Sequence, residues 1–347
     1  MRHPSTSLPR SGNLPILARA ARSAQRALRP LMRPLCLHSC FKQTSFGRMH
    51  YYDSKPTGHE RNGRALFFLH GLGSSSVSLL PLAALMRRHC RVIVPDVMHF
   101  SGLSEPTKDR FSPDDHLEAL YEFFDGLGLD SVDLFGHSIG GAGVLRLATR
   151  FPTRARSVAL VNPGGFSFEF ERIRDDLLQA RPGRADQLYE QIVGALPLLR
   201  FRAARAVASR ILSDALASQG VRDLIGSISE KDFVDDVVRE LPCPALLLWG
   251  DDDRFLPVQT AFHIVSELDA VDAFFVRGGS HLLAVESPYQ VYVSLRRFLG
   301  YGHAWPMRLR ARRSPFVRIR ADSDSLREGG GRVGIAAGSG AARFSAP

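Results

Sequence analysis

The sequence predicts an α/β protein in which a mostly parallel central sheet is flanked by helices. Three observations lead to this prediction. Short apolar runs alternate with longer segments of helical periodicity, and the runs are apolar at almost every position. The chain is also long enough, at 347 residues with 44% hydrophobic residues, to bury a large core. Strands that are apolar throughout are buried on both faces, as in a parallel sheet joined by crossover helices.

Six apolar runs are expected to form the strands. They cover residues 65–69, 91–95, 131–135, 156–161, 244–249 and 272–277. Four segments with apolar residues at helical spacing are expected to form crossover helices. They cover residues 116–128, 140–151, 258–268 and 287–299. These elements define a core of two segments, residues 49–163 and 241–302.

The alternation stops between residues 164 and 240, where no strand pattern occurs. Helix-like stretches are separated there by Pro182-Gly183, Pro197 and Gly220. We therefore expect a helical insertion over the sheet, after the sixth strand. Its apolar residues are expected either to line a substrate pocket or to form the insertion's own core. They are Phe166, Phe168, Phe170, Leu196, Leu198, Leu199 and Phe201.

The positive charge of the chain is concentrated at its two ends. Residues 1–48 hold nine Lys or Arg and no acidic residue, and residues 303–347 hold nine Arg and three acidic residues. The middle keeps 27 basic and 32 acidic residues. This balance argues against nucleic acid as a partner of the folded domain, because a phosphate-binding face would have to be basic. The Gly-rich tail from residue 303 is expected to be disordered.

Residues 1–48 have the composition of a basic leader. Arginines spaced three and four apart lie opposite alanines and leucines, which predicts an amphipathic helix unless the segment is disordered. Such a helix is typical of a mitochondrial-like transit peptide or of weak contact with a membrane surface. Translation could instead begin at Met49. With no membrane-spanning run in the sequence, we expect a cytoplasmic protein, with an organelle-targeted or peripheral membrane protein as the alternative. Removal of residues 1–48 is expected to leave turnover unchanged.

The cysteines indicate neither a disulfide scaffold nor a metal site. Cys36, Cys40, Cys90 and Cys243 are dispersed, and no Cys/His cluster has the spacing of a zinc site. We expect four ordinary thiols, no metal and no cofactor.

A Gly-x-Ser-x-Gly motif, GHSIG, occupies residues 136–140. It follows one predicted strand directly, and small residues after it open a predicted helix. In a nucleophile elbow, the two glycines let the strand turn sharply into the helix and expose the serine hydroxyl. The motif therefore predicts Ser138 as a nucleophile, against the alternative of an incidental serine in a Gly-rich turn.

A serine nucleophile needs a base within hydrogen-bond reach and a third group that orients the base. Asp251, Asp252 and Asp253 follow the predicted strand 244–249, and His281 follows the strand 272–277. Loops at the carboxyl ends of parallel strands meet at one edge of the sheet. These residue types can therefore converge on Ser138, although the pattern alone does not separate the three aspartates.

Together these motifs resemble the α/β-hydrolase fold superfamily over about residues 49–302. The resembling segments are the oxyanion loop His70-Gly71-Leu72-Gly73, the acid loop Trp249-Gly250-x-x-Asp253 with Pro257, and the histidine loop Gly278-x-x-His281 with Glu286-x-Pro288. The resemblance implies a catalytic triad of Ser138, Asp253 and His281. It also implies an oxyanion hole formed by the backbone amides of Leu72 and Ile139.

Four further residues are candidates for contact with the substrate: His70, Gly71, His137 and His99. The resemblance implies that His70 shapes the oxyanion turn, and His137 is expected to point into the fold. His99 lies in a segment, residues 96–104, that is longer by one than the corresponding motif of relatives and lacks its Pro-Gly. Whether His99 touches substrate or solvent is left open.

The position and helical character of the insertion resemble the cap of the same superfamily. The insertion carries 11 basic and 13 acidic residues, so it offers no strong attraction for a charged substrate. We expect a serine esterase acting on an apolar or weakly polar small molecule or lipid-like ester, in the manner of carboxylesterases or monoacylglycerol lipases. The alternatives are a carbon–carbon bond hydrolase of ring-cleavage products, for which no pair of basic residues stands out, and a non-catalytic ligand-binding or scaffold protein.

Overall fold

The computed structural model describes residues 23, 25–27, 29–30, 32–55, 64–100, 102–179, 185–193, 209, 212–301 and 316–318. Within these residues the chain forms one sheet of ten strands. The strands are β1 (His38–Thr44), β2 (Gly47–Asp53), β3 (Ala65–Leu69), β4 (Arg91–Pro95), β5 (Glu105–Pro106), β6 (Val132–His137), β7 (Ala155–Val161), β8 (Ala245–Gly250), β9 (Val271–Val276) and β10 (Phe316–Arg318). Their order is β1-β2-β4-β3-β6-β7-β8-β9-β10, and β5 pairs with β2.

The centre of the sheet is parallel, as the sequence predicts. Strands β4, β3, β6, β7, β8 and β9 are parallel neighbours, whereas β2 and β10 add antiparallel edges to them. Every residue of β3, β6 and β8 is buried. Successive side chains of a strand point to opposite faces, so Phe67 enters one hydrophobic core and Phe68 the other. The prediction of strands covered on both faces is confirmed.

Helices cover the two faces of the sheet. On one face, α1 (Leu80–Met86), α9 (Leu283–Glu286) and α10 (Pro288–Phe298) contribute to the core that contains Phe68. On the other face, α2 (Pro113–Gly126), α3 (Ile139–Arg150) and α8 (Gln259–Glu267) contribute to the core that contains Phe67. The start of α2 is fixed by a capping box, in which the Ser112 hydroxyl and the Asp115 carboxylate accept each other's backbone N–H.

The folded region begins before Met49, so the expectation of a leader up to residue 48 is wrong for its last part. Strand β1 lies wholly before Met49 and pairs with β2 from His38 opposite Asp53 to Thr44 opposite Gly47. The described residues between 23 and 32 are helical. The buried face differs from the predicted apolar face, since Gln25 is buried and Ala27 is exposed. Strand β10 likewise lies inside the C-terminal segment that was expected to be disordered.

The insertion between β7 and β8 is helical in its described part. It contains α4 (Ser167–Leu178), α5 (Ala185–Ile192), α6 (Gln219–Ser227) and α7 (Asp235–Arg239). It follows β7, which is the seventh described strand in chain order and not the sixth, because β1, β2 and the two-residue strand β5 add three strands to the four apolar runs that precede the insertion. Leu196, Leu198, Leu199 and Phe201 lie outside the described residues.

Candidate active site

Ser138 occupies a strained turn between β6 and α3. Its backbone angles are φ 56° and ψ −131°, a combination that residues with a side chain rarely adopt. The turn is held by hydrogen bonds: the Ser138 N–H donates to Val161 O at 3.1 Å, and its carbonyl accepts from the Gly141 N–H at 2.7 Å. The elbow glycines are required by close packing, since a Cβ atom at Gly136 would lie 2.4 Å from Gly140 O.

The structure brings Ser138, His281 and Asp253 together. Ser138 Oγ lies 2.9 Å from His281 Nε2, and His281 Nδ1 lies 2.9 Å from Asp253 Oδ2. An ionised carboxylate only accepts hydrogen bonds, so the proton on Nδ1 is donated to Asp253 and Nε2 accepts from the serine hydroxyl. In this arrangement the imidazole is oriented to remove a proton from the hydroxyl.

The structure separates the three aspartates that follow β8. Asp253 Oδ1 accepts from the backbone N–H groups of Phe255 at 2.9 Å and Leu256 at 3.0 Å, which leaves Oδ2 to face the imidazole. Asp251 accepts instead from the Gly278 N–H, and Asp252 pairs with a neighbouring arginine at the surface. Asp253 is therefore the aspartate that contacts His281.

Asn162, at the end of β7, was not predicted as a site residue. Its Nδ2 donates to Asp253 Oδ2 at 2.7 Å and to Ser280 O at 2.9 Å, and its Oδ1 accepts from the Gly250 N–H at 3.0 Å. Its φ of 43° is tolerated because asparagine adopts the left-handed region more readily than most residues. A signal was present: an amide at the carboxyl end of a central strand, where some relatives carry the acid.

The oxyanion-loop segment, residues 70–73, lies directly against Ser138. His70 Nδ1 donates to Gly71 O at 2.9 Å, and its Nε2 accepts from the Val97 N–H at 3.1 Å. Burial lowers the pKa of His70, so the ring is neutral and acts as a fixed brace. A Cβ atom at Gly71 would lie 3.1 Å from Ser138 Cβ. Leu72 lines the cavity beside Ser138.

Ile139, the first residue of α3, lines the same cavity. His137 is buried and also borders the cavity. Its Nε2 donates to the backbone carbonyl of His281 at 2.7 Å. Burial and the neighbouring His281 ring lower the pKa of His137 to about 4, which keeps its imidazole neutral. His137 therefore supports the loop that carries His281.

His99 lies behind the cavity wall rather than at its surface. Its ring centroid is 4.6 Å from that of Phe111 and 5.9 Å from that of His116. A Cβ atom at Gly220 would lie 2.8 Å from His99 Cβ, so the residue is packed beneath α6. Of the described residues, those that line the cavity include His116 and not His99.

A cavity of about 510 Å³ contains Ser138 and His281, which is within the range of small-molecule sites. Its walls come from the sheet edge, from α2 and α3, and from the insertion. The insertion contributes mostly apolar side chains, including Phe166, Phe170, Ile173, Leu177 and Ile192. Phe168 is 51% exposed and does not line the cavity. Among the described lining residues, Arg146 is the only Lys or Arg.

The described residues contain no group of three or more His, Cys, Asp or Glu arranged to hold a metal ion. All four cysteines are free thiols. The helices in the described part of the chain are too short or too polar to cross a lipid bilayer.

Comparison with known proteins agrees with the fold. The family model for the alpha/beta hydrolase fold matches residues 64–210. A 2-hydroxy-6-oxo-2,4-heptadienoate hydrolase of Pseudomonas putida is 28% identical over 58% of this chain and 76% of its own length. Carboxylesterase YbfK of Bacillus subtilis is 23% identical over 77% of this chain and 89% of its own length.

Solved structures show the same architecture. The carboxylesterase CesB (YbfK) structure from Bacillus subtilis superposes with a TM-score of 0.65 at 22% identity, covering 83% of this chain and 99% of the other. A bacterial membrane phospholipase A gives a TM-score of 0.67 at 21% identity, covering 82% and 93%. The sequence match over residues 64–210, the parallel sheet and the strand-end loops lead to one conclusion: the chain has the alpha/beta hydrolase fold.

Proposed function

We propose that the protein is a serine hydrolase that cleaves carboxylic esters through an acyl-enzyme. The observation that carries the proposal is the hydrogen-bonded series from Ser138 Oγ through the His281 ring to Asp253 Oδ2, with 2.9 Å at each step. Its members come from three strand-end loops and meet at the floor of one cavity.

The proposed reaction has two halves. Ser138 Oγ attacks the ester carbonyl while His281 Nε2 takes its proton, and Asp253 stabilises the charged imidazole. The backbone N–H groups of Leu72 and Ile139 donate to the oxyanion that develops. Collapse of the intermediate expels the alcohol, which receives the proton from His281. Water then gives a proton to His281 and attacks the acyl-enzyme, which releases the acid and frees Ser138.

The cavity supports an apolar or weakly polar substrate. We assign the insertion, residues 164–240, as a cap that supplies much of the wall and so limits what fits. A carboxylesterase among the relatives and a phospholipase among the similar structures are consistent with an ester of a small molecule or lipid.

A carbon–carbon hydrolase is the second candidate, because a dienoate hydrolase is among the relatives. A dienoate carboxylate needs a cationic partner in the pocket. Arg146 Nη2 already donates to the carbonyls of Lys231 and Phe233, both at 3.0 Å. The ester is therefore favoured. A scaffold role is disfavoured because the three side chains already have the geometry of a reactive site.

The first prediction concerns Ser138→Ala, which removes only the nucleophilic oxygen. We expect kcat for p-nitrophenyl butyrate to fall by at least about a thousandfold, while thermal unfolding stays unchanged. Ser266→Ala is the matched control, because that hydroxyl lies on α8 and bonds the His263 carbonyl. Equal turnover by Ser138→Ala and the parent would reject the mechanism.

Labelling with a fluorophosphonate, which reacts with an activated serine, separates a serine hydrolase from a non-catalytic scaffold protein. The parent should be labelled and Ser138→Ala should not. Turnover of a series of alkanoyl esters, compared with a 2-hydroxy-6-oxodienoate, then distinguishes the two reactions. Preference for the dienoate would favour the second candidate.

A further inference from the structure

His116 is a histidine in the cavity wall that the proposed reaction does not use. It lies near the start of α2 and borders the same cavity as Ser138. Its ring packs among aromatic rings, with centroids 5.4 Å from Phe111 and 5.8 Å from Phe100. The fold therefore places an imidazole in a wall that is otherwise mostly apolar.

Both ring nitrogens of His116 are buried, and neither has a hydrogen-bond partner among the described residues. A buried polar atom without a partner destabilises a protein, and most such atoms are paired. The other three histidines that line the cavity follow this rule, since His70 and His137 bond backbone groups and His281 bonds Ser138 and Asp253. His116 is the exception, and the residue borders the cavity that contains Ser138.

The protonation state of His116 defines what it can bind. Burial, with a smaller contribution from His99, lowers the pKa of His116 to about 3. A neutral imidazole offers one N–H donor and one nitrogen acceptor, and no charge for a carboxylate. An oxo oxygen can accept from the N–H, and a hydroxyl can use either nitrogen.

We propose that His116 recognises an oxygen atom on the acyl chain, so that the substrate is an ester of a hydroxy- or oxo-substituted fatty acid. This inference rests on the proposed ester hydrolysis. The acyl chain is the relevant part because it stays in the cavity through both halves of the reaction, whereas the alcohol leaves after the first. A nitrogen in the cavity wall can therefore bond the acyl chain in both halves of the reaction, but the alcohol only in the first.

A plain hydrocarbon chain would cover His116 without giving it a partner. Sites built to bond a substrate oxygen reject analogues that lack it, because their polar groups are then buried unpaired. We therefore expect kcat/KM to be about tenfold higher for a chain with the oxygen in the right place, which corresponds to about 1.4 kcal/mol.

The test uses p-nitrophenyl octanoate and a series of p-nitrophenyl octanoates that carry one oxo or hydroxyl group at successive carbon atoms. At least one member should exceed the plain ester in kcat/KM by about tenfold in the parent protein. In His116→Phe this ratio should fall to about one or below, because the substituted ester loses its partner and the plain ester no longer buries an unpaired nitrogen. His116→Gln keeps a donor and an acceptor and should retain part of the preference.

His99→Asn is the matched control, because His99 neighbours His116 without bordering the cavity, and asparagine tolerates its φ of 62°. It should leave the ratio unchanged. A parent that hydrolyses the plain ester through Ser138 but prefers no substituted member would overturn this inference and leave the proposed function standing. A preference that survives in His116→Phe would also overturn it. If the Ser138→Ala variant hydrolyses every ester as fast as the parent protein does, the proposed function itself fails.

Discussion

Asn162 and Asp253 lie at the carboxyl ends of adjacent strands, and their side chains are bonded to each other. The amide donates to the carboxylate oxygen that faces His281, and its other contacts reach Ser280 O and the Gly250 N–H. One side chain thus links β7 to the acid loop and to the histidine loop. Because Asn162 touches neither Ser138 nor the cavity, we regard it as a positioning residue.

Replacement of Asn162 should weaken the orientation of Asp253. Asn162→Ala is expected to lower kcat by about tenfold, because the variant loses the free energy of about one hydrogen bond to a charged group. The effect on KM should be smaller. Asn162→Gly is the matched comparison, since it also lacks the amide but accepts the φ of 43° without strain. Similar losses in both variants would assign the effect to the amide. A loss in the alanine variant alone would point to backbone strain.

The residues of the site differ in how readily their roles can be predicted from the sequence. Ser138 stands in a motif with glycines at fixed positions, and His281 follows a predicted strand, so both could be proposed from local pattern. Asn162 is visible only as an amide at the end of a predicted strand, and nothing in that pattern predicts its bond to Asp253, 91 residues away. His116 could not be proposed, because nothing in a sequence marks a histidine whose nitrogens will be buried without partners.

At the scale of elements, the N-terminal hairpin is tied to the loops around the site through Asp96. The buried Asp96 carboxylate accepts from the Ser76 N–H at 2.6 Å, from Gln25 Nε2 at 3.0 Å and from His50 Nδ1 at 2.7 Å. Burial alone would raise the pKa of Asp96, but the bonds and charge of His50 and its other neighbours lower it to about 2. Ser76 follows the oxyanion-loop segment, so the hairpin supports one end of that loop.

This connection changes the expected effect of truncation. Removal of residues 1–48 deletes β1, Gln25 and the start of β2, so we expect an unstable or insoluble protein rather than unchanged turnover. Removal of residues 1–22 deletes nothing that the structure describes and serves as the control. Thermal unfolding and turnover of p-nitrophenyl butyrate measure both effects. An active, stable protein lacking residues 1–48 would show that the hairpin is dispensable.

The central strands were predictable and the edge strands were not, for a physical reason. β3, β6 and β8 are buried on both faces and are therefore apolar at nearly every position. β1 is an edge strand whose HSCFKQT sequence mixes polar and apolar residues, and six of its seven residues are at least partly exposed. Long-range pairing, rather than local composition, makes it a strand.

At the scale of the whole molecule, buried neutral histidines make stability depend on pH. Burial is the main cause that lowers the pKa of His116 to about 3 and of His137 to about 4. In the unfolded chain these groups titrate near the ordinary value of about 6.5. The unfolded state therefore binds more protons below that pH. The contribution of these two neutral histidines to the stability of the folded state is complete above about pH 6.5. It is lost progressively as the pH falls towards 4 and then 3.

We expect the free energy of unfolding in urea to be lower at pH 5 than at pH 7, by about 2 kcal/mol for each of these two histidines. His116→Phe removes one titrating group, so its loss of stability between the two pH values should be smaller than that of the parent by about one such contribution. His38→Phe, at an exposed position on the edge strand β1, is the comparison. An equal pH dependence in the parent and in His116→Phe would contradict the assignment.

The hydroxyl and the imidazole of the site are 143 residues apart along the chain. During synthesis Ser138 is therefore translated long before His281. In the proposed mechanism, Ser138 stays unreactive in a growing chain until β8 and β9 pair beside β7 and bring Asp253 and His281 to it.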